Sequence, residues 1–283
     1  MINYNDLTKN IKDGLKFPTG ATSERGTPSK GSLRFNSETG KPEIYAKSRG
    51  WKTGVKIVAG GFEDANVVLQ TGFEGNNGDT SIVDDTGNHT LSFIANSQPA
   101  YIDNTLYRTG SHSAHLTATS ISSGNNSYIS IPASSDFDFG TGDFTIELWH
   151  YCSQYSGTYT IFSSRFNQDM KISRYGNRAH VKWQYDDTNW MYAYYALWQN
   201  VWQHLVFQRK NGQVQLIVDG DIKSTANYTG QYGTSDQNLQ LGLEHISMYG
   251  YPNNFYVDQL RISKGIGRYT APFTPTISYP LQK

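Results

Sequence analysis

Hydrophobic and polar positions alternate with a period of two through Asp143–Tyr151, read Asp-Phe-Thr-Ile-Glu-Leu-Trp-His-Tyr. Phe144, Ile146 and Leu148 fall on one side of an extended chain, and Thr145, Glu147 and Trp149 on the other. This predicts a central strand with one face in a core. A helix through the same stretch would carry only a thin apolar stripe, Phe144 and Leu148. The turn signal Gly140-Thr141-Gly142-Asp143 stands directly before it.

From Val67 onward the same logic predicts many short strands: Val67–Thr71, Leu91–Ile94, Ala114–Thr117, Tyr128–Ile131, Phe144–Tyr151, Thr160–Ser164, Lys171–Ser173, Ala179–Gln184, Gln203–Arg209, Val214–Val218, Ile222–Ser224, Leu239–Leu243 and Phe255–Ile262. Clusters of Gly, Asn, Asp and Ser separate them, and no helix is expected in this half. Many short strands with regular turns mean a sandwich or barrel. Lys210-Asn211-Gly212 marks the best-punctuated hairpin, since Asn-Gly supplies the positive φ of a tight turn, and Asp219-Gly220 marks a second.

The first sixty residues read differently. Asn5–Asp13 places Leu7 and Ile11 at helical spacing, with Asn5 or Asp6 as cap and Gly14 as stop. Ser32–Asn36 and Glu43–Ala46 flank Ser37-Glu38-Thr39-Gly40 and predict a hairpin, and Val55–Val58 continues as a strand. A short helix and a lone hairpin are each marginal in water, so this segment is expected to complete its core against another chain. The domains expected are 1–57, a linker at 58–66, and a large β domain at 67–283.

Composition narrows the classes of function. The chain has 283 residues, 14% of them aromatic, including 20 Tyr and 6 Trp. Lys+Arg and Asp+Glu both number 24, which gives no support for nucleic acid as a partner. The single Cys152 excludes an internal disulfide and reads as a small buried hydrophobe. No window approaches 18 apolar residues, so no membrane insertion is expected. Met1-Ile2-Asn3-Tyr4 opens a polar segment without the pattern of a secretory leader.

Two resemblances are carried by quotable residues. Phe17-Pro18-Thr19-Gly20-Ala21-Thr22-Ser23-Glu24-Arg25, Gly31-Ser32-Leu33-Arg34-Phe35-Asn36, Thr39-Gly40-Lys41-Pro42-Glu43-Ile44-Tyr45 and Gly50-Trp51 resemble a short module of bacteriophage virion proteins, tail fibres especially. Further on come Phe73-Glu74-Gly75, Asp85-Thr86-Gly87-Asn88, Tyr128-Ile129-Ser130-Ile131-Pro132 and Ser135 through Trp149. Trp202-Gln203-His204-Leu205-Val206, Leu216-Ile217-Val218-Asp219-Gly220 and Val257 through Thr270 complete the series. In this order they resemble the laminin-G-like jelly roll of the concanavalin A-like lectin and glucanase superfamily. The resemblance implies an all-β fold, two packed antiparallel sheets of six or seven strands, with a small N-terminal helix-plus-hairpin attachment module. That fold hosts lectins, hydrolases, adhesion modules and structural domains alike.

Site candidates follow from residue chemistry. A retaining glycosidase needs two carboxylates roughly 5 Å apart, and glucanases of this superfamily carry a pattern resembling Glu-x-Asp-x-x-Glu on one strand face. Here the strand offers Glu147 alone; Asp143 lies about 13 Å away along an extended chain, so Glu147 is expected to be a hydrogen-bonded structural residue and the protein not an enzyme. His112 and His115, three apart, fall on opposite strand faces and make no ligand pair. No cofactor is required, but Glu74 and Asp258, in the first and last strand regions that this family brings together, are candidates for a structural calcium. Asp85 and Asn88 sit in a turn of ligand-like composition whose plainer role is turn stabilisation. The aromatic run Trp183, Tyr185, Trp190, Tyr192, Tyr194, Tyr195 and Trp198, interleaved with Asp186, Asp187, Asn189 and Gln199, suits core packing, a subunit interface or a glycan site.

These observations together predict a non-catalytic phage virion protein, a tail fibre or adhesin recognising a host-surface glycan, or a capsid decoration. Residues 1–57 would join other virion proteins in a homo-oligomer, with a trimer favoured from the fibre resemblance. A polysaccharide hydrolase and a purely capsid-stabilising protein are the alternatives.

Overall fold

The computed structural model describes residues 19–21, 23, 33–38, 41–46, 50–53, 64–95, 99–118, 127–154, 159–163, 172–174, 179–184, 189–232, 238–242 and 253–275. The chain divides into two compact units, residues 1–62 with 283, and residues 63–282. The smaller holds a four-stranded sheet in the order β1 (Thr19–Gly20), β2 (Leu33–Asn36), β3 (Lys41–Ala46), β4 (Gly50–Thr53). β2 and β3 form the expected hairpin, with Leu33 opposite Ile44 and Asn36 opposite Lys41. β4 extends it antiparallel and β1 extends it parallel, so this unit carries more sheet than the hairpin alone. The predicted helix at Asn5–Asp13, the predicted strand at Val55–Val58 and most of the linker at 58–66 lie outside the described residues.

The larger unit begins with β5 (Val67–Thr71), β6 (Ser81–Ile82), β7 (Leu91–Ile94), β8 (Ala100–Asp103), β9 (Ser113–Ala118) and β10 (Tyr128–Ile131). After a single 3-10 turn at Ser135–Phe137 come β11 (Phe144–Gln154), β12 (Tyr159–Ser163), β13 (Ile172–Arg174), β14 (Ala179–Gln184) and β15 (Trp190–Leu197). The last five are β16 (Gln203–Lys210), β17 (Gln213–Val218), β18 (Asp221–Asn227), β19 (Leu239–Leu241) and β20 (Asn253–Lys264). Sheet I runs β15-β14-β13-β12-β19-β10-β7-β6, and sheet II runs β18-β17-β16-β11-β20-β9-β8 with β5 also paired to β20. Each sheet has eight strands rather than six or seven, because short strands at Ser81, Ala100 and Trp190 join the edges. Among the described residues no helix is long and apolar enough to cross a membrane.

The two predicted hairpins form as their turn chemistry requires. Asn211 and Gly212 sit at φ 50° and 76° between β16 and β17, and Asp219 and Gly220 at 53° and 85° between β17 and β18. Two successive positive φ angles match the right-handed twist of the flanking strands.

β11 is central, paired to β16 on one side and β20 on the other. Phe144, Ile146 and Leu148 point into the core, where Cys152 is also buried. Its other face is not solvated, however: Thr145, Glu147 and Trp149 are buried too. The cause is the segment after β20, which crosses the outer face of sheet II. Thr145 Oγ1 donates to Ile266 O at 2.9 Å, Gln208 and Tyr269 exchange two hydrogen bonds, and Phe273 N donates to Gly220 O at 3.1 Å.

On the core side, Arg209 is fully buried, and its guanidinium donates to the carbonyls of Gly140, Gly142 and Gly230 at 2.5–2.8 Å. It fastens the turn before β11 to the chain after β18. Burial lowers its pKa, but a guanidinium retains its charge across the physiological range.

Candidate functional site

The aromatic run maps onto one edge of sheet I. β15 is the edge strand, and its alternation sends Met191 and Ala193 inward while Trp190 and Tyr192 are half-buried and Tyr194 is 62% exposed. Tyr192 and Tyr194, two apart and so on one face, stack with ring centroids 5.1 Å apart and planes 8° from parallel. Trp198 follows at the end of the strand, 66% exposed. Trp183 belongs to β14, opposite Met191 in register. Tyr185 and Asp187 lie outside the described residues. The structure therefore gathers four of the seven candidates, Trp190, Tyr192, Tyr194 and Trp198, along one edge. Exposed rings at a two-residue spacing can stack on the C–H faces of sugars.

Glu147 sits on the outer face of sheet II with no solvent exposure. Its Oε1 accepts from Arg261 at 2.6 and 2.8 Å, and its Oε2 accepts from Tyr269 Oη at 2.5 Å, with His204 Nε2 3.3 Å away. Burial pushes the carboxyl pKa up, but Arg261, and after it His204 and Tyr269, outweigh burial and hold it at about 2. It is a hydrogen-bonded anion, as its lone position in the strand predicts. Asp143 is engaged elsewhere, accepting from Asn211 N at 2.9 Å.

Glu74 and Asp258 have separate partners. Asp258 is fully buried and its Oδ2 accepts from the backbone N–H groups of Arg108 and Thr109 at 2.8 and 3.0 Å, while its Oδ1 has no hydrogen-bond partner. Burial is the main cause that raises its pKa to about 7, against the pull of those N–H groups, and the charge of Glu74 adds to the rise. Glu74 accepts from Ser111 N and Ser111 Oγ, and its Oε2 lies 3.5 Å from His112 Nδ1. Phe73 and Gln259, the residues beside the two carboxylates, adopt φ of 56° and 50°, a strained conformation for side chains of this size. The donors are oxygen and suit a hard cation, with the bare Oδ1 of Asp258 the atom a cation would satisfy. Among the described residues no group of three or more His, Cys, Asp or Glu gathers, so backbone oxygens or water would complete any shell.

His112 and His115 make different contacts, Glu74 for one and Asp103 for the other, and form no pair. In the turn at 84–89 the organising side chain is Asp84 rather than Asp85. Its carboxylate accepts from the N–H groups of Gln70, Thr86, Asn88 and His89 and from Thr86 Oγ1. Nothing in the sequence separates two adjacent aspartates, although the strand-to-turn step at Val83 makes Asp84 the inward one.

A sequence model of a laminin G family, described as the concanavalin A-like lectin/glucanases superfamily, matches residues 123–266, just over half of the 283. No curated protein matches the sequence. Solved structures do match. The binding domain of Paraclostridial Mosquitocidal Protein 1 is 17% identical with a TM-score of 0.52, over 71% of this chain and 50% of that one. Botulinum neurotoxin type C, in a structure describing cell entry dependent on two ganglioside molecules, is 14% identical with a TM-score of 0.54, over 71% and 49%. Domain 4 of AbnA, a GH43 extracellular arabinanase from Geobacillus stearothermophilus in complex with arabinotriose, is 18% identical with a TM-score of 0.51, over 72% and 94%. The chain spans about half the length of the two toxin chains. At these identities the likeness is one of fold, an all-β two-sheet sandwich.

Proposed function

Since the chain belongs to the concanavalin A-like lectin/glucanases superfamily, we propose that it is a non-catalytic glycan-binding protein whose binding surface is the aromatic edge at β15. The observation that carries this reading is the outward display of Tyr194 and Trp198 beside the stacked Tyr192 on an edge strand. Large rings left in water cost hydrophobic free energy of ~25 cal/mol per Å², and contiguous ones mark contact surfaces. Supporting a non-catalytic role, Glu147 is sealed from solvent among two cations and a phenol, where it can neither reach a substrate nor act as an acid near neutral pH. The arabinotriose on domain 4 of AbnA and the gangliosides of the type C neurotoxin agree with sugar as ligand class.

The resemblance of residues 15–52 to phage virion modules extends the proposal. The protein works in a virion, as a tail fibre or adhesin or as a capsid decoration, with residues 1–57 joining other virion proteins in a trimer. Calcium would be held by Glu74 and Asp258, supplying the positive charge that Asp258 Oδ1 lacks and tying the start of the large unit to its last strand.

The test is electrophoresis through gels containing host polysaccharide, alongside a reducing-sugar measurement. Wild type is retarded and releases no sugar, while Tyr194→Ala/Trp198→Ala migrates freely with an unchanged melting temperature. Equal retardation of both proteins removes β15 as the site; sugar release that Glu147→Gln abolishes removes the non-catalytic reading.

A further inference from the structure

The outer face of sheet II carries a second row of rings, contributed by residues far apart in the chain. Tyr101 on β8 pairs with His115 on β9, His115 with Tyr256 on β20, and Tyr256 with Tyr151 on β11. Trp202 precedes β16, where Gln203 pairs with His150, so its ring continues the row beyond Tyr151. Successive centroids are 5.2, 4.4, 6.0 and 5.5 Å apart, the pitch that a strand spacing of ~4.8 Å imposes. The residues beside them in sequence, Ile102, Ala114, Leu116, Cys152, Phe255 and Val257, point the other way, into the core.

The row has the form of a shallow trough. His115 and Tyr256 in its middle are 8% exposed, while Tyr101, Tyr151 and Trp202 are half-buried. Polar groups stand along its flanks. Asp103 Oδ2 lies 3.4 Å from His115 Nδ1 on one side, and Asn254 Oδ1 bonds His115 Nε2 on the other. Asn200 Oδ1 accepts from Tyr151 Oη at 3.3 Å near the Trp202 end. Two indole donors of this face, Nε1 of Trp149 and of Trp202, are buried without a hydrogen-bond partner, and Trp149 is only 4% exposed. Unpaired buried donors are uncommon and call for an account. Asp103 is already engaged, by Thr105 N and Oγ1 at 2.5 Å each, so the flanks offer amides and hydroxyls rather than a free charge.

We infer that this row is a second sugar-binding face, taking a neutral polysaccharide whose chain lies across the strands. Rings at strand pitch offer successive sugar units successive apolar surfaces, and the flanking amides and indole N–H groups can meet their hydroxyls. The inference shares its ligand class with the β15 reading but not its residues.

Neutral arabinan, xylan and mixed-linkage β-glucan serve as probes, in gels run with wild type, Tyr194→Ala/Trp198→Ala, Tyr101→Ser/Trp202→Leu, and all four changes together. The expected result is partial loss in each double variant, at least about tenfold in affinity, and complete loss in the quadruple. Hydroxyl-radical footprinting of wild type with and without the retarding polysaccharide checks the face without mutation: Tyr101, Tyr151 and Trp202 become protected. Retardation lost with the β15 changes alone, with no protection of the row, overturns this inference and leaves the β15 reading standing. Loss with the row changes alone, with protection, upholds the row and overturns β15. No retardation of wild type by any of the three overturns both.

Discussion

Glu147→Gln is the most informative single change, because it keeps the shape of the side chain and removes only its charge. Arg261, 4% exposed, would lose the carboxylate oxygen that it meets at 2.6 and 2.8 Å. Breaking a buried pair from one side costs about 3–5 kcal/mol, since it leaves an uncompensated charge in low dielectric. For a unit of this size that is a fall in Tm of roughly 6–20 °C. The pH dependence has a definite sign. The folded carboxyl is held at about 2 against an ordinary value of 4.5, so its contribution is complete above pH 4.5 and fades as pH falls toward 2. A shift of that size corresponds to about 3 kcal/mol. Urea unfolding of wild type and variant at pH 7 and at pH 2.5 measures the difference at both ends. The gap is expected to be wide at pH 7 and mostly closed at pH 2.5, and Glu147→Gln/Arg261→Met should recover much of the loss. A gap under about 1 kcal/mol at pH 7, or one that does not narrow with acid, refutes the reasoning.

Gly220→Ala should lift the final segment off sheet II. Its Cβ would stand 1.7 Å from Phe273 O at a φ of 85°, and trypsin cleavage after Arg268 should accelerate; unchanged cleavage argues against it. If calcium joins Glu74 and Asp258, a chelator should lower the Tm of metal-loaded wild type through the lost linkage stabilisation and leave Asp258→Asn unmoved; no shift in wild type counts against the ion. A chain starting near Gly61 should fold and stay soluble but fail to enter virions, while residues 1–60 on a fluorescent carrier are incorporated. The opposite outcome would move the attachment surface to the sandwich.

Strand positions and turns were readable from the chain itself because their causes are local. The period of two through Phe144, Ile146 and Leu148 follows from the geometry of an extended backbone, and Asn211-Gly212 and Asp219-Gly220 take positive φ at little steric cost. What covers each face was not local. Thr145, Glu147 and Trp149 alternate as a solvated face would, yet the chain from Ile266 to Phe273 returns over them. Glu147 meets Arg261, His204 and Tyr269 only because β16, β20 and that segment converge on β11. The aromatic run at Trp190–Trp198 was visible as composition, but its outward display depends on β15 being an edge strand, a matter of sheet order. The row from Tyr101 to Trp202 left no trace along the chain, since its five rings come from four strands and a turn and share a line only through cross-strand register. Register is settled when the two sheets bury their apolar faces against each other, and a slip of one residue would turn every one of those rings into the core.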